Sequence, residues 1–216
     1  MDERFVCEEC DERLEYIGKE YCLKCGKPVG DGKEYCPDCE EKEADFKHGR
    51  ALFMYNSSMK KSIAMFKYRS QKAYAEFYGK ALYQGYSDWI KLIAPDALFP
   101  IPVHRERYRK RGYNHAELLA TELGKHCKVP VITDYLIRTK NTLPQKGLSD
   151  KERYDNLRHA FSVNGEVQEL YKNLKCVIII DDIYTTGCTM NACSRVLREQ
   201  GIRSVYFLCV CIGNGF

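Results

Sequence analysis

One stretch limits what this chain can fold into more than any other. The residues Cys176-Val177-Ile178-Ile179-Ile180 form an uninterrupted apolar, β-branched run. A run of that kind is buried on both faces, as a strand in the middle of a parallel sheet is. It leads into Asp181-Asp182-Ile183-Tyr184 and then into the small-residue segment Thr185-Thr186-Gly187-Cys188-Thr189, which opens a helical pattern that stops at Gly201. Ligands of open α/β sheets sit at the carboxyl ends of the strands. A helix N-terminus offers free N–H groups to a phosphate, and threonine hydroxyls add donors. Gly187 lets the backbone come close to such a group. Two carboxylates repel a phosphate, so Asp181 and Asp182 are expected to face ribose hydroxyls or a Mg²⁺ ion. A thiol at a helix N-terminus is a candidate nucleophile, but no base adjoins Cys188 in sequence, and a small spacer is the expectation for it.

The rest of the chain alternates strand and helix. A strand-like run lies at Ala51-Leu52-Phe53-Met54-Tyr55, followed by a short helix from Met59 to Lys67 with Ile63 and Phe66 on one face. A longer helix is expected from about Ala73 to Ile93, with Phe77, Leu82, Trp89 and Leu92 pointing inward. Ala97-Leu98-Phe99-Pro100-Ile101-Pro102 reads as a short buried strand ended by prolines. A strongly basic loop follows it, with Arg105, Arg107, Arg109, Lys110 and Arg111 close together. Next come a helix from about Asn114 to Lys125, a strand or two between Val129 and Ile137, and a last strand over Ser204–Ile212. Residues 138–160 are polar and aperiodic, a long connection of the sort that serves as a functional lid. Strands alternating with helices indicate a doubly wound parallel sheet.

Charge and cysteine are unevenly distributed. The total of +4 divides into a balance of −8 over residues 1–46 and +12 over the remainder. A small acidic module therefore precedes a basic domain suited to a polyanion, either a pyrophosphate or a nucleic acid strand. Of the twelve cysteines, six lie in the first 39 residues as Cys7/Cys10, Cys22/Cys25 and Cys36/Cys39. That segment has too little apolar surface to fold by burial alone. Two Cys-x-x-Cys pairs about ten residues apart can present four thiolates tetrahedrally to a structural Zn²⁺. Cys22, Cys25, Cys36 and Cys39 are thus the expected metal ligands, and the ion would supply the missing folding free energy. Cys7 and Cys10 are left without a partner pair. Cys176, Cys209 and Cys211 sit in apolar runs and read as core. The polar, acidic N-terminus does not look like a secretory signal, and no apolar run approaches the roughly 20 residues that span a bilayer. A cytoplasmic protein is the default expectation.

The segment Ile178 to Thr189 resembles the phosphoribosyl-pyrophosphate (PRPP) signature of the type I phosphoribosyltransferases. That resemblance implies their fold, a central parallel sheet with flanking helices, here over residues 47–216 and preceded by a zinc-ribbon module at 1–46. It also implies that Asp181 and Asp182 hold the ribose hydroxyls while Thr185, Thr186, Gly187, Cys188 and Thr189 cradle the 5′-phosphate. Hypoxanthine-guanine transferases carry an aspartate base where Thr185 stands, which argues against that substrate class. A narrower likeness rests on Pro100-Ile101-Pro102-Val103-His104, Arg109-Lys110-Arg111-Gly112-Tyr113-Asn114-His115, Phe66-Lys67-Tyr68, Thr142-Leu143-Pro144-Gln145 and Arg153…Asn156-Leu157…Ala160-Phe161. Together these resemble the ComF family, the competence-associated, amidophosphoribosyltransferase-like group that includes the GntX proteins, over nearly the whole chain. His115 departs from it, since glutamine usually follows the asparagine.

By that resemblance, Thr142 to Leu157 would form a mobile hood, and Arg105, Arg109 and Arg111 would meet the pyrophosphate of a Mg²⁺-bound PRPP. Longer members carry a further Cys-x-x-Cys upstream, so the chain is expected to be short at its N-terminus. Handling of single-stranded DNA, with a competence helicase as partner, is implied as well. Tyr68, Tyr108 and Tyr113 are then candidates for stacking on bases. Three functions stay open: a phosphoribosyltransferase of unknown acceptor, a DNA-uptake adaptor, and a PRPP-sensing nucleic-acid-binding regulator.

Overall fold

The computed structural model describes residues 7–30, 32–68, 71–140, 157 and 159–213. Its centre is a four-stranded, all-parallel sheet. The strands are β1 (Gly49–Met54), β2 (Ala97–Pro100), β5 (Cys176–Tyr184) and β6 (Ser204–Ile212), in the order β1-β6-β5-β2. Crossover helices cover both faces, which is why the inner strands are apolar without alternation. Ile178, Ile180, Leu208 and Val210 pack against α3 (Ser57–Tyr68), α4 (Gln71–Ile93) and α6 (His115–Cys127). Val177, Ile179, Phe207 and Cys209 face α7 (Cys188–Glu199) and the cysteine-rich segment, with Cys22, Cys25, Cys36 and Phe46 in the same core. The α/β architecture expected from the alternating pattern is present. No helix among the described residues is long and apolar enough to cross a membrane.

Ahead of the sheet lie two short helices, α1 (Glu8–Asp11) and α2 (Pro37–Glu41). In α3 the expected inward residues Ile63 and Phe66 are buried, joined by Met59. Helix α4 crosses α6 closely at Gly79, where an added Cβ would lie 2.6 Å from the Glu122 side chain. Non-helical backbone at Tyr86 (φ −133°, ψ 16°) breaks the helical phase of α4. Beyond that break Ile90 is the buried position, and Leu92, expected to point inward, is 84% exposed.

The basic segment forms a helix rather than a loop, α5 (Arg105–Arg111). Its N-cap is His104, whose Nδ1 accepts from the Glu106 N–H at 3.3 Å, and it ends at Gly112 in the left-handed region. Arg109, Lys110 and Arg111 fill its last turn, where cations complement the helix dipole. Between α6 and β5, β3 (Leu136–Arg138) and β4 (Phe161–Val163) pair antiparallel. They bring together the two ends of the segment expected to be the hood, of which 141–156 and 158 lie outside the described residues.

Candidate functional site

Strand β5 continues through both aspartates to Tyr184, four residues past the apolar run. Residues 185–187 turn, and α7 starts at Cys188, with Gly187 (φ 80°, ψ −5°) as an N-cap that has no side-chain cap bond. The backbone needs glycine there twice over. The φ is left-handed, and an added Cβ would stand 2.5 Å from the Tyr184 hydroxyl. Ile183 to Met190 ring a small hollow at the helix start. Thr186 Oγ1 donates to Cys188 Sγ at 3.3 Å. The five expected phosphate-loop residues are thus contiguous, half-buried and gathered at the N-terminus of α7.

The acidic pair is less symmetrical. Strand alternation sends neighbouring side chains to opposite faces. Asp182 follows Ile178 and Ile180 toward α3 and α6, where it is 3% exposed. Its Oδ2 lies 2.6 Å from Lys67 Nζ, and its Oδ1 lies 3.2 Å from His115 Nε2. Asp181 lies toward α7 and is only partly buried, with Oδ1 accepting from the Asp182 N–H at 2.9 Å and 3.9 Å from His115 Nε2. Burial pushes the Asp182 carboxyl up, but Lys67 and then His115 more than reverse that and hold it well below the usual carboxylate range. Burial and then the charge of Asp182 push Asp181 well above that range. Burial lowers the Lys67 ammonium, yet Asp182 raises it by more. Lys67 is fixed at the end of α3, whose Phe66 and Lys67 carbonyls both accept from the Tyr113 hydroxyl.

Around this pair the cations are not all those expected. On α5, Arg107 and Arg111 are half-buried, whereas Arg105, Arg109 and Lys110 are exposed. The half-buried pair is spaced i, i+4 and shares one helix face. The Arg111 guanidinium lies 5.0 Å from the Tyr68 ring centroid and donates to the Tyr68 hydroxyl at 3.0 Å. From β3, Arg138 stacks on Phe161 at 5.2 Å. Burial, then the nearby charge of Arg107, lower its pKa, while Asp181 is close enough to act the other way. Lys67, Arg107, His115 and Arg138 were not selected from sequence. An i, i+4 reading of the basic run pairs Arg107 with Arg111 but equally Arg105 with Arg109, so it does not choose the half-buried face. Lys67 and His115 stand in stretches quoted for the family likeness without a role assigned to them, and no local pattern marks Arg138.

In the cysteine module, the Sγ atoms of Cys22, Cys25, Cys36 and Cys39 all lie within 4.8 Å of one another. Cys25 and Cys36 are 3.6 Å apart. A tetrahedral zinc with Zn–S bonds of about 2.3 Å needs sulphurs about 3.8 Å apart, so four soft donors in this cluster fit Zn²⁺. The buried Lys27 ties the two knuckles, with Nζ 2.5 Å from Asp38 Oδ2. Cys7 is exposed, and the Cys10 side chain lies outside the described residues. The arm after the second knuckle is strapped to α7. Asn191 Oδ1 accepts from the Asp45 N–H at 2.7 Å, and Asn191 Nδ2 donates to Glu43 O at 3.4 Å. A cavity of about 400 Å³ lies between the second knuckle and the turn that opens α7, with Cys39, Phe46, Tyr184, Gly187 and Cys188 in its wall.

Comparison with known proteins covers both the cysteine module and the rest of the chain. The family described as a double zinc ribbon domain matches residues 1–40. Competence protein F of Haemophilus influenzae is 29% identical over 204 residues, covering 93% of this chain and 87% of that protein. Competence protein ComFC of Bacillus subtilis is 31% identical over 206 residues, 91% of this chain and 79% of that protein. The DNA utilization protein YhgH of Escherichia coli is 25% identical over 213 residues, 95% of this chain and 89% of that protein. With such similarity running from the cysteine module to the last strand, the chain belongs to the ComF family of competence proteins.

Proposed function

We propose that the protein binds PRPP together with Mg²⁺ and does so in the service of DNA uptake or DNA utilisation. The observation that carries this reading is the phosphate loop opening α7 directly after a carboxylate pair, at the C-terminal end of a central parallel strand. Relatives named for competence and for DNA utilization support the cellular role. In this reading the 5′-phosphate lies against Thr185 to Thr189, where N–H groups and the helix dipole favour an anion. The ribose hydroxyls meet the acidic pair. The pyrophosphate extends toward Arg107, Arg111 and Arg138, and guanidinium forks suit phosphate oxygens. Mg²⁺ takes oxygen ligands and would arrive on the pyrophosphate, and the partly buried Asp181 carboxylate would be the residue to offer it an oxygen.

If PRPP is turned over, the bond from ribose C1 to pyrophosphate breaks and the leaving group keeps the electron pair. A nitrogen nucleophile then forms the new bond at C1. Cations placed where that charge develops lower the barrier. Calorimetric titration of Mg²⁺-PRPP into zinc-replete protein tests the reading, beside an Asp181→Asn, Asp182→Asn double variant. Binding by the wild type alone is the expected result, and heat from neither protein refutes it.

A second reading keeps the ligand as a signal and makes DNA the object. What favours it is the surface beside the site, where Tyr68 is 63% exposed with Arg111 over its ring and Tyr108 is 47% exposed on α5. Aromatic faces among cations suit single strands. Tyr113 is the exception among the candidate tyrosines, being half-buried with its hydroxyl donating to the end of α3. Pyrophosphate release without DNA favours the enzyme. Salt-dependent single-strand binding that changes on adding PRPP favours the regulator, and binding indifferent to PRPP favours an uptake adaptor that delivers DNA to a helicase.

A further inference from the structure

The two aspartates of the site have different jobs. We infer that Asp181 alone meets the ligand, while Asp182 is a positioning residue locked with Lys67 and His115 into a buried ionic triad joining α3, α6 and β5. The inference rests on the PRPP reading above and divides the pair which that reading treats together.

The geometry argues for it in three ways. First, the strand pleat turns the pair apart, with Asp182 directed into the α3/α6 core at 3% exposure and Asp181 left toward the phosphate loop. Second, both oxygens of Asp182 are engaged, one 2.6 Å from Lys67 Nζ and the other 3.2 Å from His115 Nε2. Each oxygen keeps a further lone pair, but at 3% exposure a ribose hydroxyl reaches Asp182 only by displacing the buried Lys67 ammonium or His115, which is strongly unfavourable. Third, the clamp is built from the ends of two helices. Lys67 is in the last turn of α3, and His115 is the first residue of α6. The preceding residue Asn114 is itself pinned, donating to Ile101 O at 3.0 Å and accepting from the Ala116 N–H at 3.1 Å. The Asp182 N–H in turn donates to Asp181 Oδ1 at 2.9 Å, so the anchor sets the orientation of the ligand carboxylate. The triad thereby fixes where the ribose sits while never touching it.

Four variants of the zinc-loaded full chain decide the matter, each measured for Mg²⁺-PRPP affinity by calorimetry and for melting temperature. Asp181→Asn is expected to lose about 10- to 100-fold in affinity while melting within a few degrees of the wild type. Asp182→Asn and Lys67→Met each leave a buried charge unpaired and are expected to melt about 10 °C lower. The double variant Lys67→Met, Asp182→Leu removes both charges together. It should regain part of the lost stability, because apolar groups of similar volume replace buried pairs with little loss, with His115 Nε2 left without its Asp182 partner. With Asp182 as an anchor, PRPP affinity should fall by a similar factor in Asp182→Asn and in Lys67→Met. A loss in Asp182→Asn alone, with Lys67→Met melting equally low yet binding as the wild type, overturns the inference, since Asp182 would then be a ligand. So does Asp182→Asn protein that melts like the wild type. A wild type that ignores PRPP refutes the proposed function and the ligand role of Asp181 with it. The melting temperatures of the two single variants and the double then judge the anchor alone, with additive losses ruling it out.

Discussion

The phosphate loop and the acidic pair lie within a few residues of each other along β5 and the start of α7, yet they are held by different physics. Behind the phosphate loop stands the cysteine module. Tyr184 stacks on Phe207 at 4.6 Å and meets Phe46 edge-on at 6.4 Å, and the arm around Asp45 is hydrogen-bonded to Asn191 of α7. Behind Asp182 stand α3 and α6, and the contact is electrostatic, an ammonium and an imidazole on one buried carboxylate. The first support depends on a module that folds around metal, whereas the second belongs to the main core and depends on charge. Perturbing one should therefore leave the other readable.

Zinc removal should have the largest effect. Structural zinc sites carry apparent binding free energies of about 10–16 kcal/mol, which for a small module is its folding free energy. Chelation is expected to unfold residues 7–46, loosen the turn at 185–187 and abolish PRPP binding. Hydrogen exchange checks the asymmetry. Amides of α7 should lose protection, while those of α3 and α6 around Lys67 and His115 keep theirs. Equal loss on both faces would erase the distinction between the two supports.

Next come the cations. The paired change Arg107→Ala, Arg138→Ala should cost roughly 100-fold or more in Mg²⁺-PRPP affinity, because each charge-assisted bond is worth about 1.5–3 kcal/mol. Arg105→Ala, Arg109→Ala should change it by less than about threefold, as expected of exposed groups whose interactions are worth about 0–1 kcal/mol. The same calorimetric titration reads both. A larger effect from the exposed pair would mean that α5 reaches the ligand with its other face.

That contrast also shows what a sequence carries. The strand, turn and helix start around the proposed phosphate loop were legible because their pattern is local: strand, acids, small residues and helix follow in order within fourteen positions, 176–189. Two pairs of the metal cluster were legible for the same reason. The Lys67–Asp182–His115 triad was not, because its members lie on three elements and meet only when α3 and α6 pack on β5. Nor was α5, since a run composed mostly of Arg, Lys, Glu and Tyr has no apolar stripe to reveal its period. Leu92 failed differently. Its periodicity was sound up to Tyr86, and a break in helical phase there cannot be seen in hydrophobicity alone.

A smaller effect is expected from Gly187→Ala, which acts where the two regions join. The left-handed φ costs an L-residue about 1–2 kcal/mol, and the new Cβ presses on the Tyr184 hydroxyl. Tyrosine is hemmed in by Phe46 and Phe207, so it cannot yield freely. Affinity for PRPP should fall about tenfold, in line with that strain, without change at the Lys67–Asp182 pair. Removing the hydroxyl as well, with Tyr184→Phe, should recover part of the loss. No recovery would place the defect in the φ alone.

The smallest expected effect is at Cys188, and it sharpens the comparison because this residue sits where the loop meets the cysteine module behind it. It opens α7 within the phosphate loop and also lines the cavity shared with Cys39. A thiol at a helix N-terminus could be a nucleophile, but phosphoribosyl transfer needs none from the protein. The Thr186 hydroxyl, which donates to Cys188 Sγ at 3.3 Å, is not a base. Serine keeps both the size and the acceptor for Thr186. Cys188→Ser should therefore leave PRPP affinity within about twofold, the scale of a surface-like change of up to 0.5 kcal/mol. A loss beyond tenfold, with melting unchanged, would give the thiol a chemical role, and the loop would have to be read as reactive rather than as a cradle.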